Sequence, residues 1–303
     1  MSLASIVLFV YNRPWHTMQT VEALKNNKLA NESELFIYSD GWKNENDKPK
    51  VIEVRKYLKT IIGFKKKYII EMDKNKGLAN SIIEGVTEII NEYGKIIVLE
   101  DDLVTSKYFL KFMNEALNTY EHEEKIMSIT GYMFPLKTRV SYDAFFLSIA
   151  SSWSWATWKR AWKYYKRNPR EQIGILDKRQ IKDFNLNNAY DFWGQLRLNY
   201  EGKIYTWAIF WYLTIFLKKG FTLFPKESLV RNIGFDGSGT HCGTGDTYNV
   251  LISIKDDFKF PKNIKEDNIV KKEIIDYFSK IKKPFYARVI NRIKLNFSRL
   301  LGN

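Results

Sequence analysis

The first half of the chain alternates short apolar runs with stretches whose apolar residues recur at helical spacing. Apolar runs of strand length occupy residues 6–10, 35–38, 68–70 and 96–99. A continuous apolar run predicts a strand that is buried on both faces. Helical spacing follows over residues 14–24, 78–90 and 108–120. This alternation predicts an α/β fold with a mostly parallel sheet flanked by helices.

The second half of the chain is less regular. Its Trp-rich segment, residues 153–165, is typical of a loop followed by a helix, on which Trp158 and Trp162 would share one face. The pattern further predicts helices at 191–200 and 207–219, a strand at 221–224 and a glycine-rich loop at 234–245. We divide the chain into an α/β domain, 1–250, with halves 1–130 and 131–250, and a basic, helical C-terminal extension, 251–303.

Polar side chains stand directly after each of the four predicted strands. They are Tyr11-Asn12-Arg13, Asp40, Asn75-Lys76 and Glu100-Asp101-Asp102. Ligands of open α/β sheets bind in the crevice beyond the carboxyl ends of the strands. These groups are therefore expected to converge on one site.

The acidic triplet follows a strand that is apolar throughout. Three carboxylates at a buried strand end repel one another, and burial penalises their charge. A hard cation would offset both effects, and carboxylate oxygens suit Mg²⁺ or Mn²⁺. The alternative is a solvated turn that happens to be rich in acids.

With its flanking residues, Val98-Leu99-Glu100-Asp101-Asp102-Leu103-Val104 resembles the DXD-type motif of GT-A (Rossmann-like) glycosyltransferases. The likeness is to N-acetylglucosaminyltransferase I and to bacterial family 2-like sugar transferases. It extends as coarse segments over residues 5–245. It implies a donor that is a nucleoside diphosphate sugar, such as a UDP-sugar, and a Mn²⁺ or Mg²⁺ cofactor.

The resemblance assigns roles to the residues at the strand ends. Asp102 would ligate the metal, Glu100 and Asp101 would face the nucleotide, Arg13 would contact the diphosphate or base, and Asp40 would contact uracil. The remaining donor-binding residues that it implies are Tyr11, Asn12, Lys76 and Asn80.

The same resemblance extends to the acceptor side. The segment from Trp153 to Trp158 resembles the family's acceptor-side segment, so that an acceptor sugar could stack on Trp153 or Trp155. Residues 231–241 resemble its flexible C-terminal loop, in which His241 could ligate the metal or hydrogen-bond the diphosphate. His16 is interpreted as a surface or helix residue.

The catalytic base is the point at which the chain departs from the family. An inverting transferase needs a carboxylate that takes the proton from the acceptor hydroxyl. The family's Trp-Asp-x-Trp-like segment corresponds to 207–211 here, where Ala208 replaces the acid. Asp236 is the first candidate for this role, followed by Asp191 and Asp246.

Composition and charge narrow the choice of partners. The chain has 303 residues, a single cysteine, Cys242, and a formal net charge of +14. One cysteine excludes an internal disulfide. Phosphorylated substrates and anionic lipid suit the positive charge, whereas no motif supports nucleic acid as a partner.

No apolar run approaches the ~20 residues of a membrane span. We therefore expect a cytoplasmic protein, either soluble or peripheral on the inner face of the membrane.

The C-terminal residues 280–300 interleave apolar residues with Lys and Arg at nearly helical spacing. A basic amphipathic helix can lie on an anionic membrane surface. The alternative is a helix that packs on the protein with its basic face in solvent.

The sequence and its resemblance thus predict a metal-dependent glycosyltransferase of cell-surface polysaccharide synthesis, with a glycan or lipid-linked acceptor, and the resemblance alone implies that it inverts. Two alternatives stay open. One is a catalytically impaired protein that binds sugar nucleotides, and the other is a sugar-phosphate nucleotidyltransferase. The latter class has a Gly-rich phosphate loop near its N-terminus, which Tyr11-Asn12-Arg13-Pro14 does not resemble.

Overall fold

The structure is a computed structural model that describes residues 3–136, 138, 140–238 and 247–281. Its strands are β1 (Ser5–Val10), β2 (Glu34–Ser39), β3 (Lys66–Glu71), β4 (Lys95–Glu100), β5 (Leu103–Thr105), β6 (Ile126–Thr130), β7 (Ala144–Leu147), β8 (Trp155–Trp158), β9 (Phe221–Pro225) and β10 (Val230–Asn232). Its α-helices are α1 (Pro14–Lys25), α2 (Lys48–Thr60), α3 (Leu78–Tyr93), α4 (Phe109–Thr119), α5 (Lys159–Trp162), α6 (Pro169–Gln172), α7 (Lys178–Phe184), α8 (Phe192–Tyr200), α9 (Ala208–Leu217) and α10 (Asn268–Ile281).

The main sheet of the described residues has eight strands in the order β3-β2-β1-β4-β8-β6-β9-β7. The first four are parallel to one another, and β6 and β9 run in the same direction. Only β8 and β7 run the opposite way. This mostly parallel sheet, with helices on both faces, confirms the predicted α/β fold class.

The apolar run of β1 is buried because alternate residues face two different cores. Ile6 and Leu8 belong to one core, which α1, α2 and α4 help to form. Val7 and Phe9 belong to the other core, with α3 and α9. A strand covered on both faces needs no polar side chain until it ends, which places the first polar residues of the loop at the sheet's carboxyl edge.

A third core joins the second half of the domain to the chain beyond residue 250. Val270, Ile274 and Phe278 of α10 are buried there with residues of α8, α9 and β7. Glu266 also forms a bridge with Phe146 of β7. The predicted division at residue 250 stays a prediction, but residues 268–281 contribute to the core of the domain. Residues 282–303, most of the predicted basic helix, lie outside the described residues.

The Trp-rich segment was predicted incorrectly. Trp158 ends strand β8, and only Trp162 lies on a helix. The two rings belong to different cores, because they lie on opposite sides of the sheet. Their four-residue spacing therefore does not mark a shared helix face.

In the described part of the chain, we find no helix with the length and apolarity that a membrane crossing requires.

Candidate functional site

A cavity of about 300 Å³ opens at the carboxyl ends of β1, β2 and β4. Its lining includes Arg13, Asp40 and the acidic triplet, together with the start of α3 and two residues from the second half, Tyr205 and Ser238. Ligand cavities in proteins typically begin at about this volume. The structure thus brings the strand-end residues together as the topology predicted.

Arg13 joins the two aspartates at the bottom of this cavity. Its Nη2 donates a hydrogen bond to Asp101 Oδ1 and another, of 2.9 Å, to Asp102 Oδ2. Both aspartates are buried, at 5% and 6% exposure. Burial acts to lower the pKa of Arg13, but Asp101 and Asp102 outweigh it and raise that pKa. Arg13 is therefore charged at every physiological pH.

The negative charge of Glu100 is not offset by a direct bond to Arg13 such as Asp101 and Asp102 have. Burial, with the charges of Asp102 and Asp101, raises the pKa of Glu100 to about 8, although Arg13 opposes the shift. Burial likewise raises the pKa of Asp101 against the opposing effect of Arg13. One guanidinium thus faces more acid than it can neutralise, and an added cation would be stabilised here.

The arrangement fits a divalent cation that takes only part of its ligands from the protein. Among the described residues, no group of three or more His, Cys, Asp or Glu side chains could hold a metal ion. Asp101 and Asp102 can supply two carboxylates, and Mg²⁺ usually combines one or two carboxylates with substrate phosphates. Gly234 leaves room for a cation and phosphate beside these carboxylates. A Cβ at this position would clash with the Asp102 carboxylate and lie 3.1 Å from Arg13 Nη1.

Asp40 holds the loop before α3 against the end of β2. Its Oδ1 accepts hydrogen bonds of 2.9 Å from the backbone amides of Gly41 and Lys76, and its Oδ2 accepts from Gly77 N at 2.9 Å and Asn75 Nδ2 at 3.0 Å. These four donors fill the usual acceptor capacity of a carboxylate. Asp40 therefore shapes the cavity wall, and its predicted contact with uracil needs one of these bonds to open.

Tyr11 and Asn12 hold the loop before α2 in a similar way. The Tyr11 hydroxyl donates to Asp47 Oδ2 at 2.9 Å and accepts from Lys43 N at 2.9 Å, while Asn12 Nδ2 donates to Asp47 Oδ1 at 2.8 Å. Both residues line the cavity. Their side-chain bonds fix the loop that borders it.

Arg55 is a supporting residue that the sequence analysis did not identify. Its Nη2 donates to the carbonyl oxygens of Ser39, Asp40 and Met72, the last at 2.7 Å. It thereby joins the ends of β2 and β3 beneath the loops. An Arg on a Lys-rich helix gives no sequence signal of this role.

Two predicted donor-binding residues do not line this cavity with the others. Lys76 forms an ion pair with Glu84 on the outer side of α3. Asn80 Oδ1 accepts a 2.8 Å hydrogen bond from Tyr205, in a neighbouring groove. The cavity is instead lined by Ser81, whose buried hydroxyl has no hydrogen-bond partner among the described residues. Ser81 is 7% exposed.

The segment after β10 lies beside the acidic triplet. Ile233 N donates to the carbonyl oxygen of Asp102 at 2.9 Å. Farther along, Asp236 Oδ2 lies 3.0 Å from His16 Nε2, and Asp236 Oδ1 accepts bonds from the hydroxyl and amide of Ser238. These bonds lower the pKa of Asp236, whose side chain is 46% exposed. His241, Asp246 and Cys242 lie outside the described residues.

His16 lies on helix α1, one of the two predicted settings, and is buried there and not at the surface. It lies four residues before Thr20 and eight before Leu24, which are also buried on α1. This spacing is a signal that could have identified it. His16 holds Asp236 near the cavity entrance.

The two candidate acceptor residues differ in their surroundings. Trp155 is 1% exposed and packs against Trp162, Trp207 and Trp211, so that no sugar can stack on it. Its predicted acceptor role is therefore wrong. Trp153 is only partly buried and contacts Phe235 of the segment after β10, with ring centroids 5.5 Å apart.

Asp191, a reserve candidate for the base, caps α8 by accepting from Gly194 N.

No protein-family profile matches the chain, and no curated protein matches it. Two similar solved structures are both of S. aureus TarS, residues 1–349. The complex with UDP is 14% identical with a TM-score of 0.34, over 46% of this chain and 37% of that one. The other structure is 11% identical with a TM-score of 0.33, over 45% and 37%. The chain thus spans little more than a third of the length of these structures, and the likeness describes the shape of that part alone.

Proposed function

We propose that this chain is a glycosyltransferase that transfers a sugar from a nucleoside diphosphate donor, a UDP-sugar, with the help of Mn²⁺ or Mg²⁺. The observation that supports it most is the cavity in which Arg13, Glu100 and the buried Asp101 and Asp102 meet the start of α3. The first amides of a helix have no partner within the helix and attract phosphate. A cavity that combines such amides with a guanidinium and uncompensated acids suits a metal-bound diphosphate.

Some of these residues would bind the leaving group, and others would bind the rest of the donor. A cation held by Asp101 and Asp102 would neutralise charge on the leaving diphosphate. Arg13 would bind the diphosphate oxygens, and Ser81 would donate its free hydroxyl to the donor. The acceptor would be a glycan or a lipid-linked glycan, as in synthesis of a cell-surface polysaccharide.

In the inverting reaction that we propose, the acceptor hydroxyl oxygen attacks the anomeric carbon as the bond to the diphosphate breaks. Asp236 would take the hydroxyl proton, because its lowered pKa keeps it ionised and its side chain reaches solvent beside the cavity. His16 would position Asp236 and is not itself expected to touch the substrate.

Thermal unfolding with a panel of UDP- and other nucleotide-sugars, with and without Mn²⁺, tests the proposal. We expect one donor to raise the melting temperature only with the metal, and Asp102→Asn to abolish that rise. Release of UDP upon transfer should be lost in Asp236→Ala, while donor binding persists. Binding without any turnover would instead indicate a sugar-nucleotide-binding protein, and formation of pyrophosphate would indicate a nucleotidyltransferase.

A further inference from the structure

A second, larger groove of about 770 Å³ lies beside the donor cavity, between the outer face of α3 and the segment 159–167. Its lining among the described residues includes five Lys and Arg side chains and no Asp or Glu. Tyr205 lines both the groove and the donor cavity. The two spaces therefore meet at one side chain.

Most of the cations in this groove have partners in the protein. Arg160 donates to three carbonyl oxygens, Lys166 forms an ion pair with Glu171, and Arg167 donates to Thr206 O. Lys159 and Lys163 are both exposed. Lys159 Nζ donates to Asn91 O at 3.1 Å and Lys163 Nζ lies over the Tyr164 ring, but neither has a carboxylate partner among the described residues. Four residues apart at α5, they present two uncompensated charges on the same side.

Tyr205 adds a surface that suits a sugar. It is 55% exposed, and the Arg167 guanidinium covers one side of its ring at 3.5 Å. Its hydroxyl is fixed by Asn80. An aromatic ring held on one side by Arg167, next to lysines that lack a carboxylate partner among the described residues, combines stacking with attraction for anions.

We propose that this groove binds the acceptor, and that the acceptor is an anionic glycan with carboxylate or phosphate groups along its chain. The inference rests on the proposed function, because the groove borders the cavity assigned to the donor and shares Tyr205 with it. Lys159 and Lys163 would contact the anionic groups, and Tyr205 would stack on the sugar that enters the donor cavity.

The test is binding of labelled oligosaccharides of equal length to the full chain, followed by fluorescence anisotropy. Oligogalacturonate supplies carboxylates, a phosphorylated dextran oligomer supplies phosphates, and unmodified dextran is neutral. We expect an anionic oligomer to bind more tightly than dextran, and salt to weaken that binding. The anionic oligomer that binds more tightly identifies the charged group.

The variant Lys159→Glu/Lys163→Glu should weaken binding of the anionic oligomer about tenfold, from the loss and reversal of two charges. Lys178→Glu/Lys182→Glu is the matched control, because these two exposed lysines have the same spacing on α7. It should change binding less than twofold. Lys159→Gln/Lys163→Gln covers the case in which the reversed charges impair folding.

Equal loss in both charge-reversal pairs would show that diffuse charge is responsible and would overturn the proposal. Tighter binding of dextran, or displacement of the anionic oligomer by RNA at lower concentration, would overturn it as well. UDP titration of the same proteins separates the two proposals. Wild type that binds UDP but no anionic oligomer refutes the groove alone, whereas wild type that binds the oligomer but no nucleotide refutes the donor site.

Discussion

At the scale of single residues, Arg13 is the cation that the buried aspartates depend on. Arg13→Gln removes the guanidinium that bridges Asp101 and Asp102. Loss of one partner from a buried ion pair costs about 3–5 kcal/mol, since the remaining charges are uncompensated. We expect that loss of stability in urea unfolding, and a larger rise of melting temperature with Mn²⁺ than in wild type.

Arg197→Gln is the control for loss of an arginine. Arg197 is exposed and lies 3.9 Å from Glu201, so its removal should change stability by less than about 1 kcal/mol. If Mn²⁺ leaves the melting temperature of Arg13→Gln unchanged, the two aspartates do not accept a cation.

Ser81 carries a buried hydroxyl that has no hydrogen-bond partner among the described residues. Because its Oγ is buried without a hydrogen bond in the described structure, Ser81→Ala should leave the unfolding free energy unchanged or slightly raised. If the donor accepts this bond, UDP-sugar affinity should fall about fivefold, from a hydrogen bond worth about 1 kcal/mol. Calorimetric titration measures the affinity.

Ser128→Ala serves as the matched control. Its hydroxyl is also buried, with no partner in the described part of the chain, but it lies in β6 and does not line the cavity. Equal affinities in wild type and both variants would remove Ser81 from the donor site.

At the scale of elements, the sequence predicted the strands and helices whose apolar patterns are long. β1, β2, β3 and β4 each extend the predicted run by one or two residues at an end, and α1 begins at Pro14 as predicted. The short strand β7 was missed, because four apolar residues without alternation can occur in a strand, a helix or a loop. Trp155 was assigned to the acceptor because its segment resembles an acceptor-side segment, and its buried partners, Trp207 and Trp211, lie too far along the chain to reveal its burial.

The candidate site was predictable in its location and less so in its bonding. Parallel strands bring their carboxyl ends to one edge, so that Arg13 and Asp102 had to be neighbours. Nothing local shows that the Asp40 carboxylate is filled by four donors, one of them from Gly77, 37 residues away. Ser81 became a candidate only when burial and hydrogen bonds were known, whereas the spacing of His16 to Thr20 and Leu24 already indicated its burial.

Asp143, just before β7, binds two residues of the segment beyond residue 250. Its carboxylate lies 2.6 Å from Lys255 Nζ and accepts from Lys259 N at 2.8 Å. Burial acts to raise the pKa of Asp143, but these partners outweigh it and lower the pKa below the ordinary value of 3.8. The carboxylate thus stabilises the fold above pH 3.8, and this contribution is lost as pH falls through the lowered pKa.

Asp143→Asn should therefore reduce the unfolding free energy at pH 7 by about 2 kcal/mol, the value of a hydrogen bond to a charged group. The difference from wild type should shrink below pH 3.8. Urea unfolding at pH 7, 5 and 3.5 measures it, with Asp177→Asn, a cap of α7, as a second carboxylate for comparison. A difference that is constant with pH would show that the ion pair is not its source.

At the scale of the whole molecule, the positive charges that give a net charge of +14 lie in several separate places. Arg13 offsets buried acids, and Lys159 and Lys163 lie in the groove. The Lys- and Arg-rich residues 280–300 add a further set beyond the core. Since Val270, Ile274 and Phe278 anchor α10, the chain up to Ile281 contains the buried contacts described for that helix.

A chain that ends at Lys283 separates stability from membrane binding. It retains the buried side chains of α10, so its melting temperature should stay within a few degrees of the full chain. If residues 280–300 form a basic amphipathic helix, the full chain should bind vesicles with anionic lipid, and the shortened chain should bind them at least tenfold more weakly. Neutral phosphatidylcholine vesicles are the control for both. Equal binding of the two chains to anionic vesicles would locate the membrane contact elsewhere, and a large fall in melting temperature would favour a segment that packs on the rest of the protein.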